Sequence, residues 1–199
     1  MGCDIHIAIE VQNRDGIWRD KNAYSVNPYF GDDEYETQQF HRIDPYRGRN
    51  YELFTAFAGV RSRGHEVDPI AEPRGIPTDV SEFIKKDFER WGCDAHTPSY
   101  LTLKEILDWG EVNKKVKRSG MVSPETLKEL RENGTPPSSW CGWTSDKSWE
   151  HAEWEDELKI IDWFVEEVKK YLEGNMWSFE VKEIFDNPES TRFVFWFDN

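Results

Sequence analysis

The first segment of the chain alternates between apolar and polar positions. In residues 3–11 the apolar set is Cys3, Ile5, Ile7, Ile9 and Val11, and the other set is Asp4, His6, Ala8 and Glu10. A period of two residues predicts a half-buried β-strand. An Asn-Arg-Asp-Gly turn follows at residues 13–16, and Ile17 and Trp18 come next. We therefore predict a hairpin at this end of the chain.

Four segments in the first two thirds of the chain carry helix signals. The signals differ between the segments. The first is an apolar run that stops at glycine, and the second is a polar cap before an amphipathic run. The third is a capping box, and the fourth is Ser-Pro at a helix start. The predicted helices are residues 51–60, ending near Gly59; the run from Thr78 or Asp79 to Trp91; residues 103–109, after the Thr102–Glu105 box; and the run from Ser123 to Gly134.

The last third predicts one long helix and a second hairpin. Residues 151–173 place Trp154, Leu158, Ile161, Phe164, Val165, Val168 and Leu172 at helical spacing. Residues 177–181 and 191–197 alternate on either side of an Asp-Asn-Pro-Glu-Ser turn at 186–190. This pattern is typical of two antiparallel strands.

Three segments read as irregular structure: residues 22–48, the proline-rich residues 61–77 and the Trp-rich loop 135–149. Strands at both ends with helices between them predict an α+β fold. We expect an antiparallel sheet formed by the N- and C-terminal hairpins and packed against four to five helices. No linker divides the chain, so residues 1–199 are predicted to form a single domain.

Composition narrows the possible partners. The formal net charge of -14 disfavours general nucleic-acid binding, because phosphate attracts Lys and Arg. An aromatic content of 15% offsets a hydrophobic content of only 37%, which argues for a folded core. The sequence lacks a run of apolar residues long enough to span a membrane. The 3 cysteines form no CxxC pair. We therefore expect a cytoplasmic protein without a membrane partner.

The most distinctive motif is Gly-Cys-Asp-x-His, at residues 2–6 and again at 92–96. Gly92 reads as a helix end and Cys3 as a core residue, which leaves two Asp-x-His pairs. If these pairs converge, Asp4, His6, Asp94 and His96 provide two carboxylates and two imidazoles, a ligand set that suits a divalent transition metal such as Zn, Mn or Fe. The alternatives are a hydrogen-bonded sheet face for the first pair and a loop for the second.

Residues 41–75 carry six Arg and no Lys within an acidic protein. Arginine favours fixed, bidentate contacts with carboxylate or phosphate. Arg49, Arg61 and Arg74 could therefore bind a small anion, and Tyr51 or Tyr46 could stack on a base. The other arginines of the segment are Arg42, Arg47 and Arg63. The alternative interpretation is a set of internal salt bridges to the acidic helices.

The chain resembles a family of small, largely uncharacterised bacteriophage and prophage proteins. The resemblance lies in residues 3–6, 49–54, 59–61, 73–77, 94–96 and 100–103. It implies a phage-type protein in the host-cell cytoplasm and does not supply an activity or an oligomeric state.

Three functions are compatible with these features. The first is a metal-dependent hydrolase of a small phosphorylated, nucleotide-like ligand, with Asp4, His6, Asp94 and His96 as catalytic residues and metal ligands. In a metal-free version, one His acts as general base beside an orienting Asp. The second is a non-catalytic binder that sequesters a nucleotide-derived host-defence signal. The third is an acidic module that mimics nucleic acid.

Overall fold

The computed structural model describes residues 2–32, 38–62, 67–112 and 114–199. The chain divides into two compact units. The first comprises Met1–Gly110 and Ile160–Asn199, and the second comprises Glu111–Lys159. The single domain predicted from the sequence stays a prediction.

A four-stranded antiparallel sheet forms the centre of the first unit. Its order is β2-β1-β8-β5, with β1 at Asp4–Gln12, β2 at Trp18–Asp20, β5 at His96–Thr102 and β8 at Thr191–Asp198. The first and last strands of the chain therefore pair directly, from Asp4 opposite Asp198 to Val11 opposite Thr191. This arrangement confirms the predicted α+β class and the antiparallel sheet that joins the two ends of the chain.

Helices cover both faces of this sheet. In the first unit they are α1 (Tyr51–Ala58), α2 (Glu82–Arg90), α3 (Leu103–Leu107), α5 (Ile160–Asn175) and α6 (Ser178–Asp186), and a 3₁₀ turn spans Pro188–Ser190. On one face, Phe57 of α1 contacts Phe164 of α5 at a ring distance of 4.9 Å and Phe195 of β8 at 5.2 Å. On the other face, Ile84 of α2 packs with Ala8 and Trp196.

Burial on both faces changes the environment of the polar side of β1. Ala8 and Glu10 are fully buried, although the alternation alone predicts a half-exposed strand. The Glu10 carboxylate accepts the backbone N–H of Ser81, the residue before α2, at 2.7 Å. Ser81 is thus the residue that starts this helix, rather than the predicted Thr78 or Asp79. Asp79 instead pairs with Arg192 at 2.8 Å.

The other helix signals identify real helix ends. Helix α1 ends at Gly59, whose φ of 68° is a conformation that glycine adopts at little cost. The capping box of Thr102 and Glu105 is present at α3.

Two parts of the first unit differ from the prediction. The segment expected to be irregular contains a small hairpin, β3 (Ala23–Val26) with β4 (Phe40–Ile43). The predicted C-terminal hairpin is wrong in its first strand, because residues 178–181 lie in α6. The second neighbour of β8 in the sheet is β5, and the alternating Trp177 and Phe179 are exposed.

The described residues of the second unit form a two-stranded sheet and one helix. β6 (Lys115–Val122) pairs with β7 (Glu150–Glu157), and α4 (Pro124–Asn133) begins after Ser123 and ends at Gly134, as predicted. The helix predicted over residues 151–173 is therefore wrong in its first part, which forms β7. In the Trp-rich loop, Cys141 forms an isolated bridge with Met121, and Trp140 packs on Trp154 at 5.4 Å.

Of the predicted loop 61–77, residues 63–66 lie outside the described residues, and residues 67–77 contain no helix or strand. None of the helices in the described ranges combines the length and apolar character needed to cross a bilayer.

Candidate functional site at the end of the sheet

His6 lies on the α2 side of the sheet, and a carboxylate faces each of its ring nitrogens. Nδ1 is 3.5 Å from Oδ2 of Asp44, and Nε2 is 3.4 Å from Oδ2 of Asp198. The Trp91 ring covers the imidazole at a centroid distance of 4.1 Å. The two carboxylates lie at opposite edges of the ring, so they do not converge on one point.

Asp44 is held in place by a buried arginine. Arg42 hydrogen-bonds to Asp44 and to the carbonyl of Ile7, and its Nε is 2.9 Å from Oδ2 of Asp87 in α2. Burial alone would raise the pKa of Asp44, but hydrogen bonds from His6 and Arg42 lower it below its usual value. Asp44 is therefore a charged anchor for the segment that follows β4.

Asp4, two residues before His6 on the same face of β1, holds the other end of that segment. Arg49 Nε donates to Asp4 Oδ1 at 2.8 Å, and Nη2 donates to Oδ2 at 2.5 Å. The hydrogen bond from Arg49 lowers the pKa of Asp4. The Asp-x-His spacing thus places two side chains on one face, where they hold residues 44 and 49 of a single connecting segment.

His96 lies on the opposite face of the sheet from His6. Ile5 and His96 both pair with Phe197, whereas His6 pairs with Trp196. Residues paired across neighbouring strands share a face, and successive residues of a strand alternate between faces. The pairing therefore separates the two imidazoles.

The neighbour of His96 is a cysteine. Nε2 of His96 lies 4.0 Å from Sγ of Cys3, and Nδ1 lies 3.0 Å from Oγ1 of Thr97. Burial raises the pKa of the Cys3 thiol, although a hydrogen bond with Arg61 opposes that change. The structure thus joins the cysteine of the first Gly-Cys-Asp-x-His motif to the histidine of the second.

The four predicted metal ligands do not form one site. Asp94 lies in the turn after α2 with an exposed side chain, and its backbone N–H donates to the carbonyl of Trp91. Within the described ranges, no group of three or more His, Cys, Asp or Glu side chains is arranged to hold a metal ion. The prediction that Asp4, His6, Asp94 and His96 converge is corrected by the strand pairing, which puts His6 and His96 on opposite faces.

Two of the predicted arginines meet at the start of the chain. Arg61 Nη2 donates to the carbonyl of Gly2 at 3.2 Å and to Oδ1 of Asn199 at 2.9 Å. A Cβ at Gly2 would lie 2.6 Å from Nη1 of Arg49, so the Arg49 guanidinium lies against the Gly2 backbone. Both arginines therefore lie beside the same residue.

Tyr51 completes this group, since the Arg61 guanidinium lies over its ring at 5.8 Å. We call Gly2, Asp4, Arg49, Tyr51 and Arg61 the terminal arginine cluster.

The other predicted ligand-binding residues lie elsewhere. Arg74 forms a bidentate pair with Glu105, at 2.6 and 3.2 Å, and lies over Tyr100 toward the other end of β5. Tyr46 packs edge-on against Phe164 in the core. Arg63 lies outside the described residues. For Arg74 the alternative interpretation, an internal salt bridge, is the one that the structure supports.

Sequence reasoning missed Asp44, Asp198 and the role of Cys3. Asp198 has a detectable signal, because strands at both ends of the chain were expected to share a sheet. Asp44 has no such signal in the sequence, since it lies in a segment without hydrophobic periodicity. Comparison of the chain with protein-family models, with curated proteins and with solved structures found no match.

Proposed function

We propose that the chain binds a small phosphorylated, nucleotide-like anion at the terminal arginine cluster without transforming it. The observation that supports this most directly is that Arg49 and Arg61 both contact the first residues of the chain. The side chain of Arg49 is half exposed, at 52%, and so is that of its partner Asp4, at 48%. A ligand can therefore reach this arginine from solvent.

The residue types in the cluster suit a phosphoryl group beside an aromatic base. A guanidinium presents two parallel N–H donors to phosphate oxygens. The Arg61 guanidinium lies over the ring of Tyr51, and both are planar groups of the kind on which a base can stack. Arg61, a member of the cluster and not a glycine, has a positive φ angle of 58°. Strained backbone of this kind concentrates at ligand sites.

The contacts of the two histidines favour a binder over a hydrolase. Both nitrogens of His6 face carboxylates, and the nitrogens of His96 lie next to Thr97 and Cys3. A general base needs a nitrogen within reach of the substrate proton. With these neighbours in place, neither imidazole presents such a nitrogen to a ligand at Arg49.

The resemblance to phage proteins suggests a biological role for such a binder. We propose that the ligand is a nucleotide-derived signal of host defence, which the protein sequesters. That role requires tight binding and return of the ligand unchanged, and it requires neither a metal nor a reaction.

Calorimetric titration with nucleoside mono-, di- and triphosphates and with cyclic dinucleotides tests the proposal. Arg49→Lys and Arg61→Lys keep the charge but lose the bidentate geometry, and we expect each to weaken binding at least about ten-fold. Arg74→Lys is the matched control, since Arg74 forms an equivalent carboxylate pair, with Glu105, toward the other end of β5 from His96.

Mass spectrometry of the bound fraction completes the test. Recovery of intact ligand supports the binder. Product formation would instead support the hydrolase, and equal losses of affinity in all three variants would contradict the assignment of the site.

A further inference from the structure

The Asp4–Arg49 pair occupies the donors that an anionic ligand would need. Arg49 uses Nε and Nη2 on the two oxygens of Asp4, the arrangement that it would also offer to two phosphate oxygens. Both side chains are about half exposed, so the pair is no part of the core. The hydrogen bond from Arg49 lowers the pKa of Asp4, so the pair favours the charged form of this carboxylate.

Contacts other than this pair also hold Asp4 and Arg49 in place. The backbone N–H of Asp4 donates to Oδ1 of Asp198 at 3.1 Å, independently of the Asp4 side chain. Asn50, next to Arg49, caps α1 by accepting the N–H groups of Glu52 and Leu53. Strand β1 and helix α1 therefore position the two residues while their side chains can separate.

We propose that Asp4 is an internal competitor for the anion site, so that a ligand binds Arg49 by displacing the Asp4 carboxylate. This inference rests on the proposed function and adds how ligand binding is controlled. To bind, an anion must interact with Arg49 more strongly than the Asp4 carboxylate does. Solvent anions that pair weakly with a guanidinium do not meet that requirement, whereas a phosphoryl ligand that also contacts Arg61 and Tyr51 does.

Replacement of Asp4 by asparagine tests the inference. Asp4→Asn keeps the size of the side chain and removes its charge. Because an exposed ion pair is weak, we expect ATP or another nucleotide that binds the unaltered chain to bind the variant about two- to five-fold more tightly. Asp4→Ser serves as a second variant with the same expected direction. Thermal unfolding of both checks that the fold is retained.

The chain offers a matched control for this change. Glu105→Gln neutralises the partner of Arg74 in an equivalent bidentate pair, and glutamine retains the capping box at α3. We expect no change in nucleotide affinity for this variant. The double variant Asp4→Asn/Arg49→Lys is expected to lose the gain, because the freed donors are then absent.

The possible results separate the inference from the proposed function. Tighter binding by both Asp4 variants supports the inference. Binding that is unchanged or weaker in folded Asp4 variants overturns the inference while the nucleotide site stands. An equal gain in Glu105→Gln also overturns it, since a general reduction of negative charge would then be the cause. If no nucleotide binds either the unaltered chain or Asp4→Asn, the proposed function fails and the inference fails with it.

Discussion

The buried pair of Glu10 and Arg192 provides a demanding test of what holds the first unit together. Glu10 in β1 is fully buried, and Arg192 in β8 is 3% exposed. Arg192 approaches Glu10 Oε2 through Nε at 2.8 Å and Nη2 at 2.7 Å. The Arg192 guanidinium also lies over the Trp18 ring at 4.1 Å. We consider Arg192→Met, which keeps an apolar side chain against that ring and removes the charge.

The expected cost follows from the carboxylate that is left behind. Removing one partner of a buried ion pair costs about 3–5 kcal/mol, because the remaining charge has lost its counter-charge in a poorly solvated place. In a chain of 199 residues that loss lowers Tm by roughly 6–20 °C. The double variant Glu10→Met/Arg192→Met removes both charges of this buried pair. We expect it to be more stable than Arg192→Met, although the N–H of Ser81 then loses its acceptor.

Urea unfolding followed by circular dichroism measures these differences. A shift in the midpoint at constant slope reports stability alone. A loss below about 1 kcal/mol for Arg192→Met would refute the reasoning, since a fully buried charge cannot lose its partner so cheaply. Additive effects of the two single changes would refute it too, because coupling is what defines the pair.

Three further predictions concern local features. Gly120→Ala places a Cβ 2.8 Å from Cδ1 of Trp140 and 3.1 Å from the Cys141 carbonyl. Thermal unfolding is therefore expected to show a loss of about 1–3 kcal/mol in stability. Gly142→Ala is the control, because its Cβ meets nothing within 4 Å. Thr102→Ala removes the α3 cap and is expected to cost about 1 kcal/mol in urea unfolding, with Thr102→Ser retaining most of it. The folded-state pKa of Asp44 is depressed below its ordinary 3.8, so the charged carboxylate stabilises the fold above pH 3.8, and this stabilisation is lost as the pH falls through the folded-state pKa. Acid titration should therefore show a smaller loss of stability in that pH range for Asp44→Asn than for the unaltered chain.

Local signals predicted the elements whose cause is local. The alternation of β1, the glycine that ends α1 and the capping box of α3 each act within a few residues, and each lies where the pattern placed it. The start of α2 shows the limit of such signals. Thr78 and Asp79 are good cap residues, yet the buried Glu10, from 71 residues away, fixes the helix start at Ser81.

The errors arose where two periods fit the same residues. Trp154, Leu158 and Ile161 have helical spacing, but Trp154 belongs to β7 because that strand pairs with β6 along its whole length. Residues 177–181 alternate, but the fold buries Val181 and Ile184, which are three residues apart and lie on one side of α6. Tertiary pairing decides between such patterns, and a single sequence does not contain it.

The candidate site was predicted in part. Arg49, Tyr51 and Arg61 do lie together: Arg49 precedes helix α1, Arg61 follows it, and the side chains of both arginines reach the Gly2 backbone. The convergence of the two Asp-x-His pairs failed for a reason that depends on register. His96 lies before a bulge in β5, between His96 and Ser99, and it shares a face with Cys3 rather than with His6. A single residue of register decides which histidine faces which side.

The direct pairing of the first and last strands has a practical consequence for anyone who prepares this protein. Asp4 and Asp198 face each other across neighbouring strands, and Arg61 touches both Gly2 and Asn199. A purification tag placed directly before Gly2 or after Asn199 would therefore lie next to these guanidinium groups and mask them. A circular permutant that joins residue 199 to residue 1 through a short linker and opens in the exposed turn at residues 14–16 avoids this problem.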